Sequence, residues 1–563
     1  MASSTVASAD RSRRHDLDAL RAFAMLLGIA LHASLSFLPG FWPVQDRQQS
    51  PLFGIFLDAV HGFRMPLFFL LSGFFTMMIF RKRGMGELVK QRLFRIGLPL
   101  LLGLGTIIPA MDLLIAWGAS LGRGSVAEFQ EPLIKAVRAG DLAAVKGSLQ
   151  QGADIEAPDS SRKITPLHWA CLLGDEAIVD ALLEQGAKAG QPNPDGNTPL
   201  HAAVFLGHDR IVGRLLEEGA DPNHRNNDGR PPLSSAFLPW GVTQWILGVL
   251  ALPEPEQEVV EAGRERVRQL LTGLTTVPLE PSAQPADSSP RELVRGYWAF
   301  LGSDRFRLPI GGEGFQLFNT GVFHHLWFLW HLCWMLLLFC AAVGICRVAC
   351  GQDWKLSPRV ASIACWLLPW GTLAMQPFMG GMGEHFGPDT STAILPPPHL
   401  LVYYACFFFF GVCYHVVGDE EATLGRHWIA LLLAGLLVLL PVGLATKASP
   451  GWAALVQTAY VWSMTFGLMG MFHALLNRPV AGVRYVSDAA YWMYLIHQPL
   501  VVLVQGLVRN WPVAALPKFL FVNLLVFALL LVTYEYWVRY TWVGTMLNGR
   551  RERPQRLVTS PSA

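Results

Sequence analysis

The sequence predicts an all-α protein: a polytopic bundle of about ten membrane-spanning helices, interrupted by a soluble block of helical repeats. Hydrophobic residues make up 52% of the 563 residues and charged residues only 15%. The mean hydropathy is +0.34, which differs strongly from the composition of a soluble globular chain. The net charge of +2 is too small to indicate nucleic-acid binding, and the predicted environment is a lipid bilayer.

Each membrane helix is predicted from an apolar stretch of about 20 residues, the length needed to cross a bilayer. The stretches are 17–38, 62–80, 96–118, 326–348, 359–378, 398–417, 428–446, 453–475, 489–508 and 519–539. The first stretch contains Asp18, Arg21 and His32. A cleaved signal segment would not contain such polar residues, so we predict a retained first helix.

Basic residues cluster in alternate connections between these helices. One cluster precedes the first helix, a second lies between the second and third helices, and a third follows the tenth, whereas 379–397 contains no Lys or Arg. Because cytoplasmic loops carry an excess of Lys and Arg, we predict that both termini are cytoplasmic. The predicted location is the cell (inner) membrane.

The central block contains an internal repeat. Thr165-Pro166-Leu167-His168 recurs 33 residues later as Thr198-Pro199-Leu200-His201, and Gly-Ala-Asp occurs at 152–154 and 219–221. This period and this tetrapeptide are typical of ankyrin repeats, which stack into an α-solenoid. We therefore predict three to four ankyrin repeats that bind a protein partner, and the helix count places them on the extracytoplasmic face.

These patterns divide the chain into five parts. They are the first membrane part with three helices (1–122), the ankyrin insert (123–252), a linker (253–294), the second membrane part with seven helices (295–545) and a cytoplasmic tail (546–563).

Ionisable residues inside membrane spans are candidates for function because they are costly to bury in lipid. Arg21 and His32 are 11 residues apart, which places them on one helix face with a separation of about 16 Å. This spacing predicts Arg21 near the headgroups and His32 near the middle of the membrane. Arg21 and Asp18 could alternatively anchor the helix end, but His32 lies too deep for that role.

Further polar residues recur in the other predicted helices, and each has a structural alternative. Ser72-Gly73 could let two helices approach closely, and Arg92 and Arg95, which share a helix face, suit a phosphate group or mark a cytoplasmic end. Other candidates are His331, His497 and Glu535. His324 and His331 lack a third ligand nearby, so no metal site is predicted. Together these residues predict a polar cavity within the bundle.

Several of these motifs, in this order, resemble the membrane acyltransferase-3 family. They are Arg21-x10-His32, Phe-Phe-x-x-Ser-Gly-Phe (68–74), Arg92-x-x-Arg95, His-Leu-Trp-Phe-Leu (325–329) and Tyr494-Leu-Ile-His497-Gln498-Pro499. The resemblance covers 15–120 and 295–545 and is closest to the branch that contains the periplasmic glucan succinyltransferase. The ankyrin insert departs from the family pattern.

The resemblance implies transfer of an acyl group from cytoplasmic acyl-CoA, a co-substrate rather than a bound cofactor, to a hydroxyl of an envelope glycan. It implies His32 as the general base and Arg21 as a ligand of CoA phosphate or of oxyanion charge. Arg92 and Arg95 would bind the CoA phosphates and Ser72 the pantetheine arm. The remaining candidates, His331, His497 and Glu535, would orient the acceptor or line the pore.

Two other functions are compatible with the sequence. The same polar stripe could belong to a transporter of a sugar or a lipid with an ankyrin domain that binds a partner. Alternatively, the bundle could only anchor the ankyrin stack, which would leave Arg21 and His32 without a function. A channel is disfavoured because the sequence contains neither a filter-like loop nor an Arg-rich voltage-sensing helix.

Overall fold

The computed structural model describes residues 14–38, 42–122, 131–159, 163–227, 229–238, 240–250, 252–253, 255–277, 294, 297–298, 300–308, 315–379, 386–446, 450–549 and 551. The basic residues Arg11 and Arg13 before the first predicted helix, residues 278–293 of the predicted linker and the chain after 551 lie outside this set. The described residues form two compact units. One comprises the described residues within 14–38, 43–116 and 294–551, and the other residue 42 and the described residues within 117–277.

The first unit is a helix bundle, and it contains a helix for each of the ten predicted stretches. Its helices are α1 (His15–Ser34), α2 (Leu52–Arg92), α3 (Leu98–Gly122), α12 (Trp327–Cys350), α13 (Pro358–Met375), α14 (Pro398–Val417), α15 (Trp428–Ala445), α16 (Pro450–Leu476), α17 (Ala481–Val508) and α18 (Ala515–Thr533), followed by the short α19 (Trp542–Asn548). Within the described residues, eight helical segments are long and apolar enough to cross a membrane, and one of them, Leu52–Gly118, contains two predicted helices. The predicted all-α membrane bundle is confirmed.

Helix α2 is about twice as long as the predicted stretch 62–80. It begins at Leu52 and continues to Arg92, with Gly84 in a non-helical conformation (φ 79°) that separates an apolar part from a basic part. The residues before 62 include Asp58 and His61, which lower the local hydropathy. His61 contacts the carbonyl oxygen of Pro388 at 2.8 Å, so its polar ring is satisfied within the bundle.

A close helix contact fixes the position of α2 against α14. A Cβ atom at Gly73 would collide with the backbone of Phe408, and a Cβ atom at Gly411 would collide with the carbonyl of Leu70. Only glycine allows this approach of two backbones. The structural explanation of Ser72-Gly73 therefore applies to Gly73.

The second unit contains the ankyrin repeats. Helices α4 (Pro132–Arg138), α5 (Leu142–Gln150), α6 (Pro166–Leu173), α7 (Glu176–Glu184), α8 (Pro199–Phe205) and α9 (Asp209–Glu217) pair in order, followed by a 3₁₀ segment (Pro232–Phe237) and α10 (Trp240–Leu250). The Oγ1 of Thr165 lies 2.8 Å from Nδ1 of His168, whose Nε2 lies 2.9 Å from the carbonyl oxygen of Asn197 in the next repeat. The repeated tetrapeptide thus links neighbouring repeats, as its period predicts.

The predicted linker 253–294 includes helix α11 (Gln257–Leu271), which packs on the ankyrin stack. The Arg264 side chain is fully buried and donates to the carbonyl oxygens of Phe205 (2.7 Å) and Leu238 (2.9 Å). Gly263 and Gly207 let the two backbones approach, since a Cβ atom at either would collide. This part of the predicted linker therefore belongs to the ankyrin unit, because its apolar face completes the core of the last repeat.

We expect Arg264→Ala to destabilise the ankyrin unit by about 3 kcal/mol, because buried carbonyl groups lose their donors. The matched control is Arg266→Ala on the same helix. The Arg266 side chain is 56% exposed and pairs with Asp209 at 3.1 Å, and such surface pairs contribute at most about 1 kcal/mol. Urea unfolding of the purified protein, followed by hydrogen exchange of peptides from α8 and α11, measures both effects. Equal midpoints for the two variants would contradict this role of Arg264.

We also expect the ankyrin unit to lose stability in mild acid. Burial lowers the pKa of His168 from 6.5 to about 4, and that of His201 likewise to about 4. The unfolded chain binds these protons below about pH 6.5 and the folded chain only near pH 4, so the stabilisation is present above pH 6.5 and is lost as the pH falls through this window. Each site contributes on the order of 3 kcal/mol.

Urea unfolding between pH 7.5 and 4.5 tests this expectation. A His168→Asn, His201→Asn variant removes both titrating groups and should show a weaker dependence on pH than the parent protein. Parallel pH profiles for the two proteins would contradict the assignment.

Candidate active site

Two parallel helices, α1 and α17, bring polar side chains together inside the bundle. Near the start of both helices, Nη2 of Arg21 lies 3.1 Å from Oγ of Ser487, and Arg21 also pairs with Asp18 at 3.3 Å. Near the end of α1, Nδ1 of His32 lies 2.8 Å from Nε2 of His497. The 11-residue spacing on α1 is therefore matched by a similar spacing on α17, and the two faces meet.

The hydrogen bonds of His497 assign the tautomers of the two histidines. The Nδ1 of His497 lies 2.8 Å from the carbonyl oxygen of Tyr494 and 3.1 Å from that of Met493. A carbonyl oxygen only accepts, so this nitrogen carries the hydrogen and Nε2 of His497 is the acceptor. The Nδ1 of His32 then donates to His497. The Nε2 of His32 consequently carries a lone pair, the form that a general base requires.

His32 lies in the last α-helical turn of α1. The helix ends at Ser34 and continues as a 3₁₀ turn, Leu35–Phe37, so the apolar span ends one residue before the predicted end at 38. The His32 side chain is half-buried, whereas His497 is 2% exposed.

A cavity of about 610 Å³ lies within the membrane unit at the Arg21 end of α1. Its basic lining residues are Arg14, Arg21, Lys82, Arg83, Arg92, Arg95 and Arg551, against two acidic residues, Asp18 and Asp488. Its apolar lining includes Met25, Phe68, Leu71 and Phe328. The excess of positive charge in a concave site favours an anionic ligand with several phosphate groups, and the apolar part favours an uncharged extension.

The predicted residues Arg21, Ser72, Arg92 and Arg95 all line this cavity. The Nη2 of Arg92 donates to Oγ1 of Thr76 at 2.9 Å, and the carbonyl of Arg95 accepts a hydrogen bond from the Tyr491 hydroxyl. A five-residue π-helical turn at Leu93–Gly97 joins α2 to α3, begins directly after Arg92 and contains Arg95. His32 is two turns beyond Met25 on the same helix face, about 10 Å further along the axis.

The chain after α18 contributes to the cavity, although 546–563 is predicted as a tail. Leu547, Asn548 and Arg551 line the wall. The Arg551 guanidinium pairs with Asp488 at 2.7 Å, and Nδ2 of Asn548 donates to the carbonyl oxygen of Asp488 at 2.7 Å. This part of the tail is therefore ordered on the bundle because it forms specific polar contacts with α17.

Four predicted site residues do not line the cavity: the paired His32 and His497, and also His331 and Glu535. His331 is fully buried among Trp327, Phe69 and Tyr404, and its Nδ1 lies 3.0 Å from the carbonyl oxygen of Trp327. Glu535 is 36% exposed and pairs with Arg539, one helical turn away, at 2.7 Å. His331 thus packs within an aromatic cluster and Glu535 forms a local ion pair, so neither contacts the His32–His497 pair.

Two residues near this pair were not predicted. The ring of His325 lies 5.5 Å from that of His497 and its Nε2 is 3.0 Å from the carbonyl oxygen of Leu495. Arg64 on α2 lies against Gly28 of α1, where a Cβ atom would collide with its Nη1. In the sequence, His325 stands in the motif His-Leu-Trp-Phe-Leu (325–329) without a role of its own, and Arg64 stands at the start of the predicted stretch 62–80.

Comparison with protein families identifies the membrane unit. A family described as an acyltransferase domain matches residues 14–136 and 237–535, more than half of the chain. The chain belongs to this membrane acyltransferase-3 family. The ankyrin family, with three copies of the repeat, matches 133–226. The predicted family, with an inserted ankyrin domain, is confirmed.

Known relatives match only a part of the chain. Glucans biosynthesis protein C of Escherichia coli K12 is 39% identical over 101 residues, which are 18% of this chain and 25% of the relative. The protein of the same name from the O1:K1 / APEC strain has the same identity and coverage. The aligned region thus spans a quarter of the length of these relatives. The chain is thus a multi-pass membrane protein of the acyltransferase-3 family with inserted ankyrin repeats.

Proposed function

We propose that this protein is an O-acyltransferase that moves an acyl group from cytoplasmic acyl-CoA to a hydroxyl of an envelope glycan. The observation that carries the proposal is the basic cavity on the same helix face as the His32–His497 pair. The cavity has the charge and shape for a nucleotide thioester, and the pair has the tautomer for proton abstraction.

The donor is proposed from the lining of the cavity. Seven basic side chains against two acidic ones can neutralise the phosphates of CoA, and Arg92 and Arg95 suit them best because guanidinium groups bind phosphate oxygens in pairs. The pantetheine arm would then follow the apolar wall past Ser72, Phe68 and Met25. Arg21 would bind a phosphate or the adjacent part of the pantetheine arm, since its contact with Ser487 keeps its guanidinium group at the basic end of the cavity.

The chemical step is proposed from the histidine pair. The Nε2 of His32 would take the proton of the acceptor hydroxyl as the hydroxyl oxygen attacks the thioester carbonyl. His497 would hold the ring of His32 in the required tautomer through the 2.8 Å contact. His32 would later return the proton to the thiolate of CoA, so no residue ends the cycle in a changed state.

The acceptor and the orientation are proposed together. The positive-inside pattern supports cytoplasmic termini and a cytoplasmic mouth of the cavity, so His32 would lie toward the opposite face, where an envelope glycan is present. The name of the Escherichia coli relatives, glucans biosynthesis protein C, supports a glucan-type acceptor. The ankyrin insert would then lie on the extracytoplasmic side and bind a protein partner there.

Membranes that contain the protein and radiolabelled acyl-CoA test the enzyme proposal. Label that moves to an envelope glycan, and that stays on CoA with a His32→Ala variant, supports it. Uptake of a sugar or lipid that is independent of acyl-CoA would instead favour a transporter. Protease digestion from each side of sealed membranes tests the orientation, and cleavage of the 131–277 region only from the cytoplasmic side would contradict it.

A further inference from the structure

Arg64 lies between the cavity and the His32–His497 pair. Its guanidinium group is packed over Gly28, which is one turn beyond Met25 and one turn before His32 on α1. Met25 lines the cavity, so successive turns of one helix face present the cavity wall, the Arg64 guanidinium and the proposed base. His32 and Tyr494 are within the range of electrostatic interaction with Arg64.

This arginine has no counter-ion in the described part of the chain. No carboxylate there forms an ion pair with Arg64 and no hydrogen bond from its side chain is found, and its Nε is fully buried without an acceptor. Two guanidinium groups of the cavity do have acceptors, Thr76 for Nη2 of Arg92 and Asp488 for Arg551, although Nε of Arg92 also lacks one. The Arg64 side chain as a whole is half-buried, and a cation withdrawn from water without a partner is costly to a fold. An anion that is present only during turnover would supply the missing partner.

We propose that Arg64 is a catalytic residue that donates hydrogen bonds to the oxyanion formed on the thioester carbonyl. The inference rests on the proposed function. The carbonyl of the bound donor would lie next to His32, because the base must reach the attacking hydroxyl, and Arg64 is the guanidinium group packed against the preceding turn. Arg21, the sequence-based candidate for this charge, is about 16 Å from His32 along the helix.

The acceptor oxygen forms a bond to the carbonyl carbon while its proton goes to Nε2 of His32, and the carbonyl π electrons move to oxygen. Arg64 stabilises that negative charge, which exists in the transition state and intermediate but not in the bound thioester. The intermediate then breaks the carbon–sulfur bond, the carbonyl re-forms, and the leaving thiolate takes the proton from His32.

The experiment compares Arg64→Met and Arg64→Lys with the parent protein in the membrane assay with acyl-CoA. We expect Arg64→Met to lower kcat at least about 100-fold with little change in the KM for acyl-CoA, and Arg64→Lys to retain part of the activity. The melting temperature of Arg64→Met should equal or exceed that of the parent, because methionine removes an unpaired, half-buried charge. The control is Arg347→Met, which should keep the kcat of the parent. Arg347 is a half-buried residue of α12 whose guanidinium group lies 5.6 Å from the centre of the Phe80 ring.

A second variant moves the guanidinium without removing it. Gly28→Ala places a methyl group where Nη1 of Arg64 lies and should also lower kcat, whereas Gly105→Ala on α3, where a Cβ atom meets nothing within 4 Å, should not. An unchanged kcat in Arg64→Met would overturn the proposal, as would a rise in KM alone, or a loss of activity that follows a lower melting temperature. Failure of the parent protein to transfer acyl groups would instead reject the proposed function itself.

Discussion

Replacement of His32 by alanine is expected to lower kcat for acyl transfer about 1000-fold, because a hydroxyl group attacks a thioester poorly unless its proton is removed. The contact of 2.8 Å to His497 gives His32 the tautomer with a basic Nε2. The KM for acyl-CoA should change little, since His32 does not line the cavity. Initial rates with labelled acyl-CoA and isolated membranes measure both constants.

The matched control for this prediction is His427→Ala, which removes an exposed histidine just before α15 and should leave the rate unchanged. His497→Ala should cause a smaller loss than His32→Ala, because it frees the ring of His32 without removing the base. The double variant should be no slower than His32→Ala alone, since both residues act in one step. A His32→Ala protein with the parent rate would rule out this histidine as the base.

The helices of the chain could be predicted because membrane helices and ankyrin repeats each have a characteristic local sequence pattern. An apolar stretch of about 20 residues predicts a span regardless of its neighbours, and a 33-residue period predicts a stacked repeat. Helix ends were less predictable. The polar residues Asp58 and His61 lower the hydropathy at the start of α2, so the beginning of the helix at Leu52 was not predicted. The partner of His61 is Pro388, which is distant in sequence and therefore does not enter a local pattern.

This error in one helix end explains why Arg64 was missed. In a helix that begins at 62, an arginine at 64 is an ordinary interfacial residue, whereas in one that begins at Leu52 it lies three turns inside. Helical spacing predicts which residues of one helix share a face. This was enough to select Arg21, Ser72, Arg92 and Arg95 as candidates. Which of the polar residues on other helices meet them depends on packing. His497 meets His32 and Glu535 does not, although the sequence favoured neither.

Arg92 and Arg95 lie at the basic end of the cavity. We expect an Arg92→Ala, Arg95→Ala variant to raise the KM for acyl-CoA about 100-fold, since two charge-assisted hydrogen bonds contribute about 3 kcal/mol together. The kcat at saturating donor should stay near that of the parent, because both side chains line the basic end of the cavity, whereas His32 lies about 10 Å beyond its apolar wall. Kinetics at several acyl-CoA concentrations separate the two constants.

The expected rise in KM for acyl-CoA is larger than the loss of positive charge alone would cause. Arg81→Ala is the control that measures the effect of charge alone. Arg81 is an exposed residue of α2 that does not line the cavity, so its removal lowers the net charge near the mouth without removing a phosphate ligand. Screening by salt should cancel the small effect of Arg81→Ala but only part of the effect of the double variant, because bidentate contacts at a half-buried site are screened less. If the two variants showed the same KM at high salt, Arg92 and Arg95 would contribute only to electrostatic attraction, and the donor phosphates would bind elsewhere in the cavity.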